Sequence, residues 1–210
     1  MHRDTPFLTD ETPDSVEILA AETPFRGYFR VDRYTLRHRT HDGGWTDPIT
    51  REIFERGHAV AVLPYDPWRD RVVLVEQFRM PALTAGKTPW QTEVVAGIIE
   101  PDETPETVAH RETLEESGER LKDLIFLYHY LVSPGGTSET VHLYCGILDS
   151  TDAGGIHGVA AENEDIRVCV HDFSEAMAML DDGRIDNAPT IMGMQWVALN
   201  RDTLRQRYAA

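Results

Sequence analysis

The sequence predicts a layered α/β or α+β domain preceded by a small N-terminal β-sheet, and three observations carry that reading. Stretches rich in β-branched and aromatic residues recur along most of the 210 residues. Three segments carry helix start and stop signals, and they are interleaved with those stretches. The hydrophobic share of 41% and charged share of 27% suit one core-forming domain with a small extension.

The elements follow in order. Residues 1–24 are polar and rich in breakers, which predicts a loosely held arm. From Arg26 to Arg39 the aromatic and β-branched content rises, predicting one or two strands. Asp42-Gly43-Gly44 reads as a hairpin turn, and Trp45 to Phe54 as a further extended stretch. Residues 1–50 are therefore assigned to the arm and small sheet, and 51–210 to the main domain. His58–Leu63 and Arg71–Val75 flank Asp66-Pro67-Trp68-Arg69-Asp70, a strand–turn–strand pattern. Strands are also predicted at Thr92–Val95, Ile125–Val132, Thr140–Leu148 and Arg167–His171. One helix spans Thr104 to Ser117: Thr104 suits the N-cap, Pro105 the first helical position and Gly118 the stop. Two more helices are predicted at Ser174–Asp181 and Ala188–Arg207.

Charge narrows the function. Lys and Arg number 20 against 36 Asp and Glu, a formal net charge of −16. Such a surface repels phosphate backbones and anionic lipid, which argues against nucleic acid or membrane as partner. An anionic substrate would need local arginines or bound cations to reverse the field. Cys145 and Cys169 each sit in an apolar run and read as reduced core cysteines, without metal-ligand spacing. The first residues carry no apolar segment of the signal-peptide kind, and no run approaches the ~18 apolar residues of a membrane span. A cytoplasmic location is the expectation.

The helix Thr104–Ser117 holds the chemistry. At about 100° per residue, Glu112, Glu115 and Glu116 fall in one sector, which Val108 and Ala109 share. An acidic helix is ordinarily a solvated face. Here the carboxylates point where the apolar side belongs, and like charges at i, i+4 repel. Something positive must stand among them. With oxygen ligands only, Mg²⁺ or Mn²⁺ is the natural choice.

The wider window reads Gly97, five residues, Glu103, seven residues, then Arg111-Glu112, two residues, Glu115-Glu116, one residue, Gly118. This pattern resembles the Nudix box. Thr113 and Glu119 stand where an aliphatic residue is common. Further stretches resemble the bacterial ADP-ribose pyrophosphatases of that family: Arg51 to His58, Glu76-Gln77-Phe78-Arg79, Ser133 to Glu139, and Gly155-Ile156-His157-Gly158 followed by Glu162-Asn163-Glu164-Asp165. Pro134, about sixteen residues after the box, marks the subgroup.

The resemblance implies an α/β/α sandwich with a mixed sheet, behind a small N-terminal sheet domain. It implies hydrolysis of ADP-ribose to AMP and ribose 5-phosphate with two or three Mg²⁺ ions per site, or Mn²⁺. The metal ligands would be Glu112, Glu116, Glu164 and the Ala96 carbonyl. Arg111 would orient the cluster through charge-assisted hydrogen bonds. Glu115 is a ligand, a supporting group or the base. Glu162, in the Gly- and Ala-rich loop 154–162, is the candidate general base, carried over bound substrate by a mobile loop. Arg79, Arg51 and Arg56 would meet phosphate, with Glu52 and Ile98 also in the site. Tyr28 and Phe29 would stack on adenine. Ser133, Pro134, Gly135 and Glu139 would hold the terminal ribose, Glu139 accepting from sugar hydroxyls.

The relatives also imply a homodimer that exchanges the N-terminal domain and shares its active sites, and residues 1–50 are too few for a core of their own. Two alternatives remain: a hydrolase of another nucleotide sugar such as GDP-mannose, and a non-catalytic ADP-ribose-binding regulator of DNA. The intact box carboxylates and the charge of −16 speak against the second.

Overall fold

The computed structural model describes residues 12–159, 161 and 163–209. Its contacts divide the chain into two compact units, residues up to His58 with Tyr130–Thr140, and Ala59–His129 with Val141 onward. The division lies eight residues beyond the expected one at 50, and a hairpin tip distant in sequence joins the first unit.

The first unit is an antiparallel sheet of β1 (Val16–Arg26), β2 (Arg30–His38) and β3 (Ile49–Glu55) in that order. Residues 16–24 are thus strand and not arm. The strand reads weakly in the sequence because it is exposed along most of its length, and its pairing with β2 defines it. The turn at Asp42-Gly43-Gly44 forms as expected. Gly43 has φ +90°, a value that favours glycine, and Thr40 N–H donates to the Gly44 carbonyl at 3.0 Å.

The second unit is built on an eight-stranded mixed sheet. Its strands are β4 (Ala59–Asp66), β5 (Arg71–Phe78), β6 (Trp90–Glu93), β7 (Val95–Ile98), β8 (Asp123–Leu131), β9 (Thr140–Ile147), β10 (Gly155–His157) and β11 (Ile166–Asp172). The central strand β4 runs parallel to β9 and antiparallel to β5 and β7. Helices α2 (Pro105–Ser117), α3 (Phe173–Asp181) and α4 (Ala188–Tyr208) match expectation within a residue or so. The five-residue α1 (Met80–Thr84) and the three-residue β10 are too short to show a sequence period.

Both faces of β4 are covered, which makes the sandwich. Val60 and Val62 pack with Val108 and Ala109 of α2. Leu63, of opposite parity, meets α4 at Gly193, where an added Cβ would stand 3.2 Å from the Leu63 Cβ. Asp66, fully buried, organises the β4–β5 turn by accepting from the backbone N–H groups of Trp68, Arg69 and Ser150 and from the Ser150 hydroxyl. Cys145 is buried in β9; Cys169 is only partly covered, so the expectation of a core position holds for the first alone.

Candidate active site

α2 begins and ends where the sequence says. The Thr104 hydroxyl accepts from Thr107 N–H at 3.2 Å, and Gly118 closes the helix at φ +73°. Its buried side is formed by Val108, Ala109, Thr113, Glu116 and Ser117. Glu116 is therefore central to the inward sector, while Glu112 and Glu115 stand at its margin with side chains 13% and 37% exposed. The departure at Thr113 is absorbed locally, since its hydroxyl donates to the Ala109 carbonyl at 2.7 Å.

Arg111 organises the carboxylates. It grips Glu103 with two nitrogens, Nε at 2.8 Å and Nη2 at 3.1 Å. Its Nη1 reaches Glu112 at 2.8 Å and Glu115 at 2.9 Å. This bidentate pairing, with Arg111, holds the Glu103 carboxyl below its ordinary range. Glu112 behaves oppositely. Burial pushes its carboxyl up to about 7, against the pull of Arg111 and with the repulsion of Glu115 and Glu164. Glu116 is pushed up to about 8, again by burial first. The Ala96 N–H opposes the rise, with its nitrogen 3.2 Å from the Glu116 oxygen, and the charges of Glu112 and Glu164 add to it.

Two glycines make room for this cluster. A Cβ on Gly97 of β7 would lie 1.7 Å from the Glu112 Oε1, so any side chain there would displace the carboxylate from where it stands. Gly158, at φ +103°, packs on Glu164, and an added Cβ would stand 2.7 Å from the Glu164 Cβ. Glu164 in turn accepts from Val159 N–H at 3.0 Å. The segment before it is not wholly a loop: Gly155–His157 forms β10 against β11, and Gly158 N–H donates to the Glu115 carbonyl at 3.2 Å. Glu162, the expected base, lies outside the described residues.

The second unit thus brings together Ala96, Arg111, Glu112, Glu115, Glu116 and Glu164. Ile98 is at the end of the same strand as Ala96, and Arg79 follows β5, where its charge acts on Glu116. Arg79 is held by Glu93, with Nε and Nη2 both 2.9 Å from one carboxylate oxygen. Among the described residues, no three His, Cys, Asp or Glu groups converge as ligands with the side chains as they stand. Arg111 accounts for much of this, because it draws Glu112 and Glu115 to itself. The donor set still fits a hard cation: it is all oxygen, and two of its carboxylates are buried beyond what one guanidinium neutralises.

The first unit carries the other expected residues. Tyr28 is 82% exposed and meets Phe29 edge-on at 4.8 Å, while Phe29 meets Phe54 at 5.1 Å. The Arg56 guanidinium stands 5.4 Å over the Phe29 ring. Arg56 also pairs with Glu139, 83 residues on, at 3.4 Å. Ser133, Pro134 and Gly135 are exposed in a turn in which Gly136 and Thr137 N–H both donate to the Ser133 carbonyl at 3.0 Å. Arg51 stands apart from Glu52. They alternate along β3, Glu52 pairing with Arg33 at 2.8 Å while Arg51 only caps the Thr50 carbonyl.

Sequence reasoning assigned no role to Glu103, Glu93, Gly97 and Gly158. The box spacing already singles out Glu103 and Gly97; nothing in the sequence points to Glu93 as the partner of Arg79.

Comparison with known proteins agrees with this geometry. The family model described as NUDIX domain matches residues 55–193. The ADP-ribose pyrophosphatase of Escherichia coli (strain K12) is 47% identical over 196 residues, covering 93% of this chain and 94% of the relative. That of Haemophilus influenzae is 41% identical, covering 92% and 90%. A GDP-mannose pyrophosphatase of Yersinia pestis is 32% identical over 88% of this chain and 92% of its own. A solved structure titled as an ADP compounds hydrolase superposes with a TM-score of 0.70 at 21% identity, covering 95% of this chain and all of that one, and supports the fold. With the box geometry and these matches in hand, the chain belongs to the NUDIX family of hydrolases.

Proposed function

We propose that this hydrolase cleaves the diphosphate bond of ADP-ribose, releasing AMP and ribose 5-phosphate. The observation that carries the reading is the buried carboxylate cluster of α2, in a chain 47% identical to an ADP-ribose pyrophosphatase along nearly its full length. A divalent cation, Mg²⁺ or Mn²⁺ in two or three copies, would supply positive charge against the diphosphate oxygens and acidify the attacking water. Glu112, Glu116, Glu164 and the Ala96 carbonyl would hold it.

The chain's own residues do the rest. Arg111, anchored on Glu103, fixes where Glu112 and Glu115 stand. Glu162 takes the proton of the attacking water, with Glu115 as the rival for that role. Arg79, an arginine in a strongly acidic chain, meets a phosphate oxygen. In the first unit, Tyr28 and Phe29 offer aromatic surface to the base, and Arg51, Glu52 and Arg56 add polar contacts. The turn Ser133-Pro134-Gly135 and Glu139 receive the terminal ribose. A homodimer in which the N-terminal unit of one copy completes the site of the other follows from the same reading, as does a cytoplasmic location, in keeping with two free cysteines.

The GDP-mannose reading is favoured by more distant relatives at 32% identity. A substrate panel with Mg²⁺ decides between them: AMP release from ADP-ribose should exceed GMP release from GDP-mannose by at least tenfold. The reverse ranking would replace the proposal by its alternative.

A further inference from the structure

The hairpin that carries Glu139 also holds a buried hydroxyl without a partner. Val132 N–H donates to the Glu139 carbonyl at 3.0 Å, so these two residues stand opposite each other on antiparallel chains. Tyr130 precedes Val132 by two positions. Side chains alternate along a strand, so Tyr130 lies on the same face as Glu139, one diagonal step away, within reach of an aromatic ring and a glutamate. The Tyr130 hydroxyl is shielded from solvent and makes no hydrogen bond. Burial, and then the charge of Glu139, push this phenol up to about 12, so it remains a donor through neutral pH. Glu139 is itself buried, and its pairing with Arg56 is loose. The Arg56 Nε stands 3.4 Å from it and is also without a satisfactory hydrogen bond.

Buried polar groups nearly always have partners, and an orphan calls for an explanation such as a functional role. A carboxylate can only accept, and a protonated phenol beside it is available to donate. An O–H group satisfies both at once, donating to the carboxylate and accepting from the phenol: water when the site is free, and an alcohol when a ligand fills it. An ether, an alkyl group or a bare phosphate oxygen cannot do so.

We propose that Tyr130 is a specificity-determining residue of the Glu139 subsite, its O–H donating to a hydroxyl oxygen of the sugar that Glu139 holds. The pair selects nucleoside diphosphates whose terminal group bears a free hydroxyl. This rests on the reading of the chain as an ADP-ribose hydrolase.

Tyr130→Phe removes the hydroxyl and keeps the ring. Its KM for ADP-ribose should rise about tenfold, the usual weight of one hydrogen bond, with kcat within about twofold. The melting temperature without substrate should stay level or rise, because an unpartnered buried hydroxyl has gone. As a control, the ethyl ester of ADP has no sugar hydroxyl at that end, and its inhibition constant as a competitor should be the same for variant and wild type. An unchanged KM, or an equal shift for both compounds, would overturn the inference while leaving the proposed reaction intact. A wild type that releases no AMP from ADP-ribose overturns the proposed reaction, and this inference with it.

Discussion

Gly97→Ala tests the carboxylate cluster more sharply than removal of any of its carboxylates. The backbone of β7 at this position is not in the left-handed region, so alanine meets no conformational penalty there. In a strand such a change would ordinarily be neutral or stabilise by about 0.4–1 kcal/mol through the unfolded chain. The new methyl group, however, would fall 1.7 Å from the Glu112 Oε1 and 2.0 Å from its carboxyl carbon. Reaching an ordinary contact of 3.4 Å requires the oxygen to retreat by about as much again, 1.7 Å. Metal–ligand distances tolerate about ±0.2 Å. Glu112 would therefore leave the place at which Arg111 holds it, although it is still in the chain. A misplacement of about 1 Å at a reacting centre can cost about 100-fold. We expect kcat to fall at least that far and the Mg²⁺ needed for half-activity to rise about tenfold or more, with a melting temperature within a few degrees of wild type. AMP release titrated against Mg²⁺, with a thermal melt of the same sample, gives both readouts. A variant that retains the wild-type Mg²⁺ curve would show that the place Arg111 gives Glu112 has no part in holding the cation.

Four further outcomes are expected. Glu162→Gln should lower kcat by about 10²–10⁴-fold with little change in KM or metal affinity, whereas Glu164→Gln should raise the Mg²⁺ requirement and recover at high metal; if Glu115→Gln alone shows the first pattern, the base is Glu115. Glu103→Gln should reduce kcat without removing a ligand, since Arg111 loses half of its bidentate anchor, and a kcat equal to wild type would limit Arg111 to a structural part. Light scattering at micromolar concentration should give twice the chain mass, and a fully active monomer would refute the shared site. Asp66→Asn should destabilise by about 3 kcal/mol in urea titrations at pH 7, because a fully buried acceptor of five hydrogen bonds, one of them from the Arg69 guanidinium, gains an amide that has to donate. Desolvation would raise the Asp66 carboxyl, but the Ser150 and Arg69 donors outweigh it and the net shift is below the ordinary 3.8. Its contribution is therefore complete above about pH 4 and is lost as pH falls through the lowered value, so the variant's deficit should shrink in acid.

Most of the second unit is legible in the sequence because its elements carry local signals. α2 is bounded by a capping threonine, a first-turn proline and a glycine stop, and each does locally what its residue type does best. The box spacing then fixes which carboxylates share a helix face, although not which of them is deepest; Glu116 takes that position because Thr113 and Ala109 lie directly beneath it. β1 escaped because most of it is exposed and the alternation of its partly buried residues, Val16, Ile18, Ala21 and Thr23, is shifted by the irregularity between Ile18 and Ala20. Arg79 with Glu93 and Arg56 with Glu139 join residues 14 and 83 positions apart, and only the sheet order brings them together. The faces of β3 were legible in principle, since residues 51 and 52 must diverge on any strand.

The charge balance explains why the box departs from the rules that govern the rest of the surface. Two carboxylates whose protons are held up to about 7 and 8 are a standing cost to a protein without its cation at neutral pH. Hydrophobic side chains at positions 112 and 116 would pack on Val108 and Ala109 and make a more stable helix. On the proposed reading, the acidic arrangement supplies affinity for a small divalent ion at a place where Gly97 lets a strand come close and Arg111 keeps the carboxylates oriented. Such an ion, with Arg79 nearby, would convert a locally negative site in a chain of charge −16 into one that can accept a diphosphate. Instability in the unliganded state and function in the loaded state would then be two consequences of the same glutamates.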